Sequence, residues 1–126
     1  DACIALLQER LPAAIVVSGR AERLWNTLAI LLPNADSRKL VAALDRAGIE
    51  ASTGAACSSG AASAARVVAA IAPALGLAPG TPAGMVRLSA GPETTAADWQ
   101  TAIDALAAAA VATSAGKQIP PRVELR

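Results

Sequence analysis

Nine consecutive residues, Ser52-Thr53-Gly54-Ala55-Ala56-Cys57-Ser58-Ser59-Gly60, carry no side chain larger than Thr or Cys. Such a stretch cannot bury a core of its own, and its glycines admit backbone angles that other residues avoid. It is expected to form a mobile loop that presents one thiol. Small neighbours leave that sulfur open to a reaction partner, and cysteine chemistry belongs to accessible thiolates rather than to buried thiols. The core has to come from the segments on either side.

At 126 residues the chain reads as one domain, with roughly two-thirds of its unfolded surface available for burial. Hydrophobic residues make up 54% of it, much of this alanine, and Trp25 and Trp99 are the only aromatics. The core is therefore expected to consist of thin helices and a modest set of Leu, Ile and Val side chains. A net charge of +1, with both signs scattered, argues against a nucleic-acid surface, which needs clustered Lys and Arg. Histidine is absent, which removes Ser-His and Cys-His catalysis from within the chain and leaves structural zinc short of ligands. No apolar run reaches the length of a membrane span, and residues Ala2 to Leu7 lack a basic leader. The expected compartment is the cytoplasm, where Cys3 and Cys57 are expected to remain free thiols. The chain opens at Asp1 rather than Met, which reads as a piece of something longer.

Helix and strand patterns interleave. A helix is predicted over Ala2 to Leu11, stopped by Pro12, and a strand over the β-branched run Ala14 to Ser18. A second strand is predicted over Thr27 to Leu32, ended by Pro33 and Asn34. Asp36 or Ser37 caps a helix with Leu40, Val41 and Leu44 on one face and Gly48 at its stop. Ile49 to Ser52 reads as a short strand entering the cysteine loop. Ser63 opens a helix with Val67, Val68 and Ile71 inward, which Pro73 kinks or ends. After a Pro/Gly region over Gly76 to Gly84 comes a strand over Met85 to Ser89. Thr95 with Asp98 resembles a capping box for a last helix whose Trp99, Ile103, Leu106 and Ala110 share a face. From Thr113 the chain turns polar and reads as a tail. The class is α/β or α+β: a small mixed or antiparallel sheet of three to four strands flanked by helices.

Three residues are candidates for chemistry. Cys57 is either a nucleophile or sulfur carrier on its loop, or a small residue in a tight turn. Arg87, inside Met85-Val86-Arg87-Leu88-Ser89, alternates to the face opposite Val86 and Leu88. It either points into solvent or grips a carboxylate with its guanidinium fork. Asn26 opens a strand and reads first as a turn residue. Cys3 lies in an apolar helix and is expected in the core. Lys39 and Lys117 have no surroundings that would prepare a lysine for Schiff-base chemistry.

The order of these pieces carries a resemblance. Leu40-Val-Ala-Ala-Leu-Asp-Arg-Ala-Gly-Ile49 precedes the cysteine loop; a helix ending Ala74-Leu-Gly-Leu77 follows it, then Val86-Arg-Leu-Ser-Ala-Gly91, then Thr94-Thr95 with Asp98 and a final helix. This resembles the C-terminal small domain of cysteine desulfurases, in the class V aminotransferase superfamily of pyridoxal-phosphate enzymes. The resemblance covers roughly Leu11 to Ala110, and its most specific part is Ala56-Cys57-Ser58-Ser59-Gly60.

The resemblance implies that residues 1–112 are such a small domain, that 113–126 are a polar tail, and that the large pyridoxal-phosphate-binding domain is absent. It implies that Cys57 is the catalytic cysteine, taking sulfur from L-cysteine as a persulfide with release of alanine, and that Arg87 binds the substrate carboxylate. Asn26 joins Arg87 as a substrate-binding position. No cofactor or metal ligand is expected in this chain. A sulfur-acceptor protein and a homodimer of the full-length enzyme are the implied partners, with no nucleic acid or membrane. Three positions depart from the pattern: Pro92 stands where a second arginine is frequent, Ala29 where an asparagine is common, and Ala55 where a serine is frequent. The departures admit another class V aminotransferase or a selenocysteine lyase, and a stand-alone interaction domain without enzymatic activity stays open.

Overall fold

The structure is a computed structural model and describes residues 2–17, 19, 21–53, 66, 68–78 and 83–114. Its elements are α1 (Ala2–Arg10), β1 (Ile15–Val16), β2 (Thr27–Pro33), α2 (Ser37–Arg46), a 3-10 turn (Pro73–Leu75), β3 (Ala83–Ser89) and α3 (Ala96–Ser114). Residues 68–71 are also helical. The strands form one antiparallel sheet in the order β1-β2-β3. This is the α+β arrangement expected, with the sheet antiparallel rather than mixed.

Strand β2 is apolar on both sides, so its sequence shows a continuous run instead of alternation. Leu28, Ile30 and Leu32 face one way, with Val86 and Leu88 of β3 beside them. Leu7 of α1, Leu40 and Leu44 of α2, and Ile103, Leu106 and Ala109 of α3 cover that face. Leu31 and Met85 face the other way, under Val68, with Ile71, Leu75 and Leu77 packed around them. The sheet is thus a middle layer between three helices and a smaller cover built from residues 68–77.

Local signals set the helix ends. The Asp36 carboxylate accepts from the backbone N–H of Arg38 (2.9 Å) and Lys39 (3.3 Å), so Asp36 rather than Ser37 caps α2. The Ser37 hydroxyl instead accepts the Met85 N–H at 2.8 Å. That closeness requires Gly84: a Cβ there would stand 3.0 Å from the Ala35 carbonyl oxygen. Gly48, at φ +81°, ends α2 in the left-handed region. At the start of α3, Thr95 N–H donates to Asp98 Oδ2 (2.8 Å) and Asp98 N–H donates to Thr95 Oγ1 (3.2 Å), completing the capping box. The backbone bond from Thr95, then that from its side chain, holds the Asp98 carboxyl below the usual carboxylate range.

Four sequence expectations shift. The first strand is only Ile15–Val16 rather than Ala14 to Ser18. Ile49 to Ser52 is not a strand; Ser52 alone bridges to β3. β3 begins at Ala83, inside the region read as turn, and α3 runs through Ser114, past the expected tail boundary at Thr113. Cys57, Ser63 and Val67 lie outside the described residues. Among the described residues no helix is long and apolar enough to cross a membrane, and no group of three His, Cys, Asp or Glu side chains could hold a metal.

Ile103 is fully buried in the main core, so Ile103→Ala is expected to lower unfolding free energy by about 2–5 kcal/mol in a urea titration. The Asp98 cap has a signature in acid. A carboxyl depressed in the folded state stabilises fully above its unfolded value, and the contribution is lost as pH falls through the folded one. The thermal midpoint of the chain is expected to fall more steeply between about pH 5 and about pH 2 than that of Asp98→Asn. Parallel curves would assign the acid sensitivity to other groups.

Candidate functional site

Alternation along β3 sends Val86 and Leu88 into the first core and leaves Arg87 on the second face with Met85. Register places Ala29 of β2 directly beside Arg87, and the isolated bridge places Ser52 on its other side. Directly opposed residues share a face, so Ala29, Arg87 and Ser52 form one row across the sheet. Arg87 is half-buried. Among the described residues its guanidinium makes no ion pair or hydrogen bond, although it stands beside an apolar cluster. Its neighbours in the row, Ala29 and Ser52, are both small.

The main chain of Arg87 is held more firmly than its side chain. Arg87 N–H donates to Ser52 O at 2.8 Å, and Ser52 N–H donates to Arg87 O at 3.1 Å. The next row toward the sheet end is Thr27 and Ser89, on the same face about 7 Å along the strands. The second face is thus apolar around Leu31 and Met85 and polar around Arg87, Ser52, Thr27 and Ser89. Parity along the strand reveals Arg87 from sequence alone. The same parity puts Ser89 on the face of Arg87, while Ser52 and Thr27 join it only through the register between distant segments.

Asn26 closes this same end of the sheet. Its carbonyl oxygen accepts from Ala90 N–H at 2.7 Å, and its Oδ1 accepts from the Thr27 hydroxyl at 3.3 Å. Asn26 and Arg87 therefore share one end of the sheet but not one row. Cys57 is outside the described residues; Ser52 and Thr53 are the described positions that lead toward it.

A cavity of about 160 Å³ lies between the first turns of α1 and α3 and reaches Thr27 at the start of β2. Cys3, Arg23, Trp25 and Trp99 line it, and Arg87 does not. Arg23 Nη1 donates to the carbonyls of Thr27 (3.1 Å) and Leu24 (3.3 Å), which fastens the loop before β2. Cys3 is half-buried against the main core, close to its expected place. Burial pushes its thiol up, partly offset by the Arg23 charge. A thiol so shifted is mostly protonated near neutral pH and is a packing residue.

Neither a family model nor a curated protein matches the chain. Among solved structures it is similar to the X-ray structure of a NifS-like protein from Rickettsia africae ESF-5, with a TM-score of 0.59 and 22% identity. The likeness covers 86% of this chain and 27% of that one. The chain therefore has the fold of part of a NifS-like protein and spans about a quarter of its length.

The Cys3 thiol provides a check on this geometry. In a Cys57→Ser chain at about pH 8, iodoacetamide is expected to alkylate Cys3 several-fold more slowly than in the same chain denatured. Equal rates would mean that burial neither shields the sulfur nor raises its pKa.

Proposed function

We propose that this chain is the small domain of a pyridoxal-phosphate-dependent cysteine desulfurase or close relative, with Cys57 as sulfur-accepting thiolate and Arg87 as the grip on the substrate carboxylate. The observation that carries the reading is the half-buried Arg87, whose guanidinium has no partner among the described residues, on a strand whose adjacent Ser52 opens the cysteine-bearing segment. An arginine beside apolar side chains keeps an unmet demand for an anion, and a carboxylate meets it with two parallel hydrogen bonds. The likeness in fold to a NifS-like protein supports the same reading.

Chain reach is compatible with it. Cys57 follows Ser52 by five residues, which span at most about 18 Å when extended. A thiol within that radius can meet an amino-acid substrate held at Arg87. In the transfer, the carbon–sulfur bond of L-cysteine breaks, a sulfur–sulfur bond forms on Cys57, and a proton takes the place of sulfur on the carbon. Alanine leaves, and the Cys57 persulfide passes its outer sulfur to an acceptor protein. The sum is redox-neutral.

The described residues do not make a site for pyridoxal phosphate. Lys39 is the one lysine among them and is exposed in the first turn of α2, and the chain has no histidine to stack on a pyridine ring. In this reading the cofactor's binding residues belong to the larger part of the polypeptide, together with most of a homodimer interface.

The test uses the chain by itself. With Cys3 replaced by Ala, the rate of Cys57 alkylation is measured with iodoacetate, which carries a carboxylate, and with neutral iodoacetamide. The ratio of the two rates is expected to fall about fivefold in Arg87→Ala, the effect of ~1 kcal/mol from one partly screened charge pair, and to be partly kept in Arg87→Lys. A ratio indifferent to Arg87 would overturn the shared site. In the complete polypeptide, desulfurase activity that survives Cys57→Ala would leave an aminotransferase or selenocysteine lyase, in which the arginine alone serves. Cys57 reacting no faster than in the denatured chain would favour a non-enzymatic interaction domain.

A further inference from the structure

We infer that Ser52 is a positioning residue, whose main-chain bridge to Arg87 fixes the root of the cysteine-bearing segment relative to the guanidinium. The inference rests on the reading of Arg87 and Cys57 just given and adds the device that would hold them in register. β3 has an outer edge beyond β2, and an outer edge needs partners for its N–H and C=O groups. Its outward N–H groups at Met85 and Arg87 are taken by the Ser37 hydroxyl and the Ser52 carbonyl, both at 2.8 Å. Among the described residues Ser52 is the one outer-edge position with β pairing, and it pairs at Arg87 rather than at another residue of the strand. Neither Ala51 nor Thr53 extends the ladder.

A single bridge has a particular mechanical result. It exchanges both hydrogen bonds of one residue pair, which sets the two Cα atoms about 5.5 Å apart and fixes the backbone direction at each. With Ala29 opposed on the inner side and Ser52 on the outer, Arg87 is clasped on both flanks, and its Cα–Cβ direction is fixed. The segment that continues from Thr53 therefore departs from a point referenced to the guanidinium. The property lives in main-chain atoms, so Ser52 acts through Arg87 and is not a catalytic residue.

Proline at 52 removes the N–H that donates to the Arg87 carbonyl and restricts Ala51, while leaving the seven-residue β2–β3 ladder untouched. The readout is the iodoacetate-to-iodoacetamide ratio at Cys57 in the 126-residue chain with Cys3→Ala. The ratio cancels any change in bare exposure of the thiol. Ser52→Pro is expected to lower the ratio about threefold or more, most of the fall given by Arg87→Ala, although Arg87 is still present. Ser52→Thr, which keeps the hydroxyl and both main-chain groups, is expected to restore it. Should Ser52→Pro fail to fold by circular dichroism, Ser52→Gly carries the test, since it keeps donor and acceptor but weakens the pairing, and an intermediate fall is expected. A ratio that responds to Arg87→Ala but to neither Ser52 variant overturns the positioning role and leaves the shared site standing. A ratio that ignores Arg87→Ala overturns the shared site and this inference with it.

Discussion

The pairing of β2 with β3 is the contact on which the rest of the molecule depends. Seven residues oppose seven, from Thr27 with Ser89 to Pro33 with Ala83. Two-sided burial of β2 makes this ladder the common floor of both apolar clusters. Because side chains alternate with a period of two, one choice of register decides every assignment at once. It sends Leu28, Ile30, Leu32, Val86 and Leu88 under the helices and leaves Arg87 on the opposite side. A slip by one residue would drive a guanidinium into the main core and expel Val86 and Leu88. The cost of burying that charge unpaired is what makes the observed register the stable one.

Much of this was legible in the sequence where the signal is local. The cap at Asp36, the stop at Gly48 and the Thr95–Asp98 box each depend on residues within four positions of one another, and each forms. Strand parity around Arg87 is equally local. The misreadings share a different cause. Ile49 to Ser52 has strand-like side chains, but a strand exists only where a partner runs alongside, and here the partnership lasts for one residue. The run from Ala14 to Ser18 is β-branched throughout its middle, yet only Ile15 and Val16 find register with β2, opposite Leu31 and Ile30. β propensity describes fitness for a pleated surface and does not supply the neighbour.

The candidate site divides in the same way. Arg87 could be singled out because a charge amid apolar strand residues is conspicuous on its own. The relation of Thr27 and Ser52 to Arg87 was not legible, since it arises from segments 35 and 60 positions apart being brought together by the sheet. Asn26, read first as a turn residue, is half-buried and bonded to both Thr27 and Ala90, and so ties the end of the sheet together.

The placement of the two indoles limits what light can report about this protein. Trp25 and Trp99 are the only fluorophores of their kind in the chain, and both border the small cavity beside α1. Trp25 is 76% exposed, while Trp99 packs against the main core. Ultraviolet emission is therefore a local gauge of the corner where α1, α3 and the loop before β2 converge. Thr27 borders that same cavity and lies one row along the sheet from Arg87, so the two indoles are linked to the Arg87 face through the end of β2.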